Sequence, residues 1–222
     1  MDKNQEIQRE FKVEGLQLRT NSDGTKSRTI EGYAILFNSP SVNMYEDERK
    51  VIREIIAPSA VSRELLDNSD IVMTMFHDNK IILARSKNGN GTLSYDIDKR
   101  GVSFSFEAPN TIDGDKAVEL VSRGDIDGCS FAFRTRYWDE DYVTCNSETI
   151  DGKIVSTYEI RKIKSLHDFT LTPNPAYPET ECSCRELVKM LREKSSKDDV
   201  EELRRRELVK KQVAEMRAAM KF

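Results

Sequence analysis

Histidine is nearly missing from this sequence: His77 and His167 are the two among 222 residues. That scarcity shortens any search for a general base, because histidine has the ordinary pKa, about 6.5, that lies nearest neutrality. Cysteine is sparse as well. The four present, Cys129, Cys145, Cys182 and Cys184, are too few for the disulfide framework of a small secreted domain. Residues 1–9 are polar and no apolar stretch follows them, so a secretory signal is not expected and the thiols should stay free. No apolar run approaches the roughly 20 residues of a membrane span, and no membrane partner is expected. Cys182 and Cys184 form a Cys-x-Cys pair with no second pair or histidine cluster beside it. Zinc usually takes four spaced ligands, so neither a metal nor a cofactor is expected. A strong charge of one sign is also missing. The net charge of −4 supplies no general attraction to nucleic acid, and no specific nucleic-acid partner is expected.

What is present divides unevenly along the chain. With 37% hydrophobic and 33% charged residues, the length suits one domain with one core plus an appendage. Residues 185–222 hold twelve Lys/Arg against eight Asp/Glu, a net of +4, which leaves −8 for the rest of a chain whose total is −4. Three parts are therefore expected: a polar N-terminal segment, 1–27, a central domain, 28–184, and a charged helical C-terminal tail, 185–222. In the tail, Ser196 and Asp199 have the spacing of a capping box. Val209, Val213, Met216 and Met220 step by four, three and four, a narrow apolar seam that suits a helix resting on the domain or associating with another copy.

The central domain reads as strands with short helices. Strands are expected over 29–37, 51–56, 71–76, 81–86, 92–98, 102–107, 130–138, 153–163 and 167–172. Hairpin turns are expected at Asn88-Gly89-Asn90-Gly91 and Asp98-Lys99-Arg100-Gly101. Pro58 at a helix start, with Val61 and Leu65 on one face, marks one short helix. Residues 115–123, ending at Gly124, mark another. The spacing of the strands suggests a mixed, mostly antiparallel barrel.

Five residues could carry chemistry. His77 ends an apolar strand, in Met73-Thr74-Met75-Phe76-His77-Asp78, where a side chain can face a cleft; the same placement suits an ordinary surface histidine. Ser130 follows Gly124-Asp125-Ile126-Asp127-Gly128-Cys129, a helix end, a tight turn and the start of an apolar strand. Backbone amides near such a turn can bind an oxyanion, although a plain loop-to-strand junction reads identically. In Leu166-His167-Asp168-Phe169-Thr170-Leu171-Thr172, alternation sets His167, Phe169 and Leu171 on one face and Asp168, Thr170 and Thr172 on the other. Either His167 or Asp168 could orient His77, but one regular strand cannot aim both into the same site. Cys129, beside Ser130, is a rival nucleophile that would make any such chemistry cysteine-dependent.

Six segments in order resemble the prohead proteases of tailed bacteriophages. They are Glu31-Gly32-Tyr33-Ala34 with Phe37-Asn38; Ile56-Ala57-Pro58-Ser59-Ala60; Phe76-His77-Asp78; Leu83-Ala84-Arg85-Ser86 with Gly91-Thr92-Leu93; Gly124 to Phe133; and Leu166 to Pro178. The resemblance implies an α+β fold like that of herpesvirus assemblin, a mostly antiparallel closed β-barrel with surrounding short helices, here with the helical tail appended. It implies a serine endopeptidase with Ser130 as nucleophile and His77 as base. By position the family's acidic residue falls on Asp168, and His167 would match the herpesvirus histidine only across a bulge. The same resemblance implies cleavage of scaffold protein or the scaffold-like segment of the major capsid protein, and of the enzyme itself, inside the prohead in the host cytoplasm. A catalytically silent capsid-assembly protein of the same fold is the alternative from another class. Two departures stand out. Cys129 replaces the Met or small residue common before the serine, and the paired arginines of assemblins have no match after Asp168.

Overall fold

The structure, a computed structural model, describes residues 7–11, 16–22, 24 and 26–173. The expected tail helices, their self-association and the Cys182–Cys184 pair lie outside the described residues. In chain order the elements are β1 (Ile7–Phe11), β2 (Gln17–Thr20), β3 (Lys26–Leu36), β4 (Tyr45–Glu46), β5 (Lys50–Ile56) and α1 (Arg63–Asp67). Next come β6 (Asp70–Met75), β7 (Asp78–Lys87), β8 (Asn90–Gly91), β9 (Leu93–Ile97), β10 (Gly101–Glu107) and α2 (Ile112–Arg123). The last are β11 (Gly128–Arg134), β12 (Val143–Ile150), β13 (Lys153–Ile160) and β14 (Ser165–Thr172). Two strands, β1 and β2, thus lie in the polar N-terminal segment, where alternation is too weak to announce them.

Local sequence explains most of these elements. In β10, Val102, Phe104 and Phe106 are buried while Ser103 and Ser105 between them are half-buried, the period of two that one covered face requires. Asn88 and Gly89 have φ of 52° and 75°, the left-handed pair that joins β7 to β8 by a primed turn. In α1, the Ser62 side chain accepts from the Leu65 N–H at 3.1 Å, capping the first turn.

Among the described residues the strands form three sheets, in the orders β1-β11-β14-β6-β7-β8, β2-β3-β10-β9 and β12-β13-β5-β4. Two pairings are parallel, β13 with β5 and β14 with β6; the others are antiparallel. The closed barrel expected above does not form. Closure needs the outer strands of a sheet to pair with each other, and among the described residues β1 does not pair with β8, β2 with β9, or β12 with β4. Alternation states which face of a strand is covered; it is silent on whether the covering sheet is the same one curled round or a separate one. The large sheet and the β3–β10 sheet share a core in which Phe169 of β14 meets Phe104 of β10, ring centroids 6.5 Å apart. Phe131, Phe133 and Phe169 are fully buried there, each such burial contributing about 1.5–3 kcal/mol.

Candidate active site

The path to Ser130 begins at α2. Thr111 caps its start by accepting from the Gly114 N–H at 3.2 Å, and Asp113 and Asp115 sit in the first turn, favourably to the helix dipole. Its end is a Schellman motif: Gly124 takes φ of 76°, its N–H reaches the Val121 carbonyl, and the Asp125 N–H reaches the Leu120 carbonyl at 2.9 Å. That closure turns the chain through buried Ile126 into β11, where Gly128 to Phe133 are all buried. One face of β11 presents Cys129, Phe131 and Phe133 to the core. The other carries Ser130, which stands opposite Thr170 on β14.

His77 sits in a more costly place. Met75 pairs with Asp78, so Phe76 and His77 are the two central residues of the β6–β7 turn, and both have positive φ, 59° and 54°. Primed turns of this kind favour Asn-Gly, and a bulky residue in the left-handed region is strained by roughly 1–3 kcal/mol. Two hydrogen bonds hold the turn against that strain. The Phe76 N–H donates to the Leu171 carbonyl at 3.1 Å, and the His77 N–H donates to Thr170 Oγ1 at 2.9 Å. Thr170 Oγ1 also meets Thr74 Oγ1 at 2.8 Å, and both threonines are fully buried. A buried hydroxyl pair in two apolar strands therefore fixes where the imidazole starts. Sequence reasoning set Thr170 on the face of Asp168 but missed that it holds His77. Thr74, a lone hydroxyl between Met73 and Met75, was the available signal.

Asp168 lies on β14, opposite Ala132 of β11 and Val72 of β6. Its Oδ2 is 2.9 Å and its Oδ1 3.2 Å from His77 Nδ1, and His77 Nε2 is 2.8 Å from Ser130 Oγ. An ionised carboxylate only accepts, so that contact requires the proton on Nδ1 and leaves the Nε2 lone pair toward the serine hydroxyl. Little water reaches the line: the side chains of His77 and Asp168 are 10% and 8% exposed, and Ser130 is 0% exposed. The structure thus brings Ser130, His77 and Asp168 together and leaves His167 out. A bulge does occur at His167, since Ala132 stands opposite Asp168 and Phe133 opposite Leu166. It does not turn the ring toward the serine; His167 Nε2 is 2.9 Å from Ser165 Oγ instead.

Cys129 is fully buried on the core face, and its thiol donates to the Ser130 carbonyl at 3.5 Å. Burial above all, with the charge of Asp168 adding, pushes its pKa well above the ordinary thiol value. A thiolate is the reactive form, so this position is set against nucleophilic chemistry. No group of three or more metal-ligating side chains occurs among the described residues.

A hydroxyl, an imidazole and a carboxylate in hydrogen-bonded series is the arrangement by which serine peptidases are recognised across unrelated folds. The sequence matches the family of caudovirus prohead serine proteases over residues 14–193. The chain belongs to that family, and so to the serine peptidases that act in phage capsid maturation. Among solved structures it is similar to the bacteriophage T4 capsid assembly protease, gp21, at 10% identity and a TM-score of 0.40, covering 73% of this chain and 97% of that one. No curated protein sequence matches it.

Proposed function

We propose that this chain is the maturation endopeptidase of a phage prohead, with Ser130 as nucleophile, His77 as general base and Asp168 as the group that orients His77. The observation that carries the reading is the continuous contact from Ser130 Oγ through the imidazole to Asp168, 2.8 Å and 2.9 Å long. Nε2 takes the hydroxyl proton as Oγ attacks the scissile carbonyl carbon. The imidazolium, held by Asp168, then protonates the departing amine nitrogen as the C–N bond breaks, leaving an acyl ester on Ser130. Water gives a proton to Nε2, attacks the ester, and Oγ recovers its proton as the C–O bond breaks. The substrates are scaffold protein or the scaffold-like segment of the major capsid protein, and the enzyme itself, inside the immature capsid in the host cell. Co-expression with the capsid and scaffold proteins tests this on a gel. Wild type should shorten them and Ser130→Ala should not; full-length proteins in both cases would refute it, and would favour a silent assembly protein.

Two further outcomes follow from the geometry. Cys129→Ala should cleave at close to the wild-type rate, and iodoacetamide should leave Cys129 of the folded enzyme unmodified. Loss of activity in Cys129→Ala, with the fold intact by circular dichroism, would move the nucleophile to the thiol. Thr170→Val keeps the side-chain shape but strands the His77 N–H and the Thr74 hydroxyl. It should cost about 1–3 kcal/mol of stability. It should also lower kcat by roughly 10–100-fold with KM little changed, because a displaced base reacts poorly. Thr170→Ser should retain most of both, as steady-state kinetics and thermal melts will read.

A further inference from the structure

A nucleophile with no exposed surface cannot meet a polypeptide. Ser130 is 0% exposed, yet a scissile carbonyl must come within about 3–3.5 Å of Oγ, so a neighbour has to move. On one side β11 is bonded to β14, which carries Asp168, is buried from Asp168 to Thr172 and continues the sheet into β6. Moving β14 would dismantle the site. On the other side lies β1, which among the described residues is the edge strand of the sheet with β11 as its one strand partner. The register sets Glu10 opposite Ser130, with Arg9 opposite Phe131 and Phe11 opposite Cys129. The next strand, β2, belongs to a different sheet, so among the described residues β1 can leave without breaking a second ladder.

Departure of β1 would bare the N–H and C=O groups along one edge of β11, directly beside the nucleophile. Such an edge accepts an extended peptide as a new strand, with backbone hydrogen bonds supplying the affinity. We propose that β1 occupies in cis the strand-docking edge that an extended segment of the substrate protein takes on β11, so that the enzyme is latent until β1 is displaced. The proposal rests on the reading of Ser130 as nucleophile. The exchange replaces one set of ladder bonds by another, so relative concentration decides it. A tethered strand competes at an effective concentration on the order of millimolar. Dilute substrate loses to β1, whereas substrate packed inside a shell with the enzyme competes. The segments cut are those able to lie as a single extended strand, and protein already paired in a sheet or helix is spared.

The test uses the full chain and a fluorophosphonate probe, which reports access to an activated serine. Neighbouring residues of a strand aim their N–H groups to opposite sides, so the double substitution Arg9→Pro with Glu10→Pro removes a ladder bond whichever side faces β11. It should label about tenfold faster than wild type or more, as the open fraction rises. Phe11→Cys supplies the converse. Directly opposite residues of an antiparallel pair have Cα atoms about 4.5–5.5 Å apart, within disulfide range, so the new thiol can bond to Cys129. Oxidised Phe11→Cys protein should label about tenfold slower than the same protein after dithiothreitol. Equal rates in its oxidised and reduced forms, with labelling abolished by Ser130→Ala, would overturn the cover and leave Ser130 as nucleophile. Labelling that survives Ser130→Ala would instead sink the nucleophile and this proposal together.

Discussion

Ser130→Ala should cleave scaffold or capsid protein about 10⁵–10⁶-fold more slowly than wild type, the scale on which removal of a peptidase's serine is felt. The substitution deletes the attacking oxygen and leaves the His77–Asp168 contact of 2.9 Å in place. Binding and electrostatic stabilisation of the transition state would then supply what catalysis remains. The fold should barely register the change. The Ser130 hydroxyl meets His77 at 2.8 Å, and loss of one such bond costs about 0.5–1.5 kcal/mol. Initial rates with the substrate proteins, beside melting curves, separate the two effects. A fall of less than about a hundredfold in a folded variant would remove Ser130 from the chemistry, since far more depends on a nucleophile.

Asp168→Asn should lower the rate by about 10⁴-fold, because an amide can offer its N–H₂ to Nδ1 and favour the tautomer with the proton on Nε2. In that tautomer the imidazole has no lone pair for the serine proton. His167→Ala should cleave at close to the wild-type rate, since that ring is 2.9 Å from Ser165 Oγ while Asp168 meets His77 Nδ1. The contrast between adjacent residues is the discriminating measurement. If His167→Ala were the damaging change and Asp168→Asn the mild one, the third member of the series would be misassigned.

The three residues proposed for the site stood out in the sequence for different reasons. Alternation alone put Asp168 and His167 on opposite faces of one strand, and the structure keeps one of them at the site for that reason, even with a bulge at His167. Local chemistry said little for Ser130 and His77, which stood out through the ordered segments around them. The Phe76-His77 turn was illegible because neither residue favours positive φ; the bonds to Leu171 and Thr170 that stabilise it come from a strand about 90 residues further along. The arrangement of sheets escaped for a related reason. Parallel partners such as β5 and β13 meet over nearly 100 intervening residues, and nothing local to Lys50–Ile56 names Lys153–Ile160 as its neighbour. The hairpins β9–β10 and β7–β8 were readable because their turns are adjacent to what they join.

The strand between the proposed base and the proposed nucleophile is the last of the three to be synthesised. His77 follows β6, Ser130 lies 53 residues later on β11, and Asp168 is 91 residues from His77 on β14, which separates β6 from β11 in the sheet. Until Ser165–Thr172 has left the ribosome, those two strands have no common neighbour and the serine and histidine no shared geometry. On the proposed assignment, a nascent chain therefore carries two of the three groups without the geometry for cleavage. Contacts of such long sequence separation also form late in folding. On the proposed assignment, peptide-bond cleavage is a property of the finished domain, and a chain still being translated leaves its proposed substrates intact.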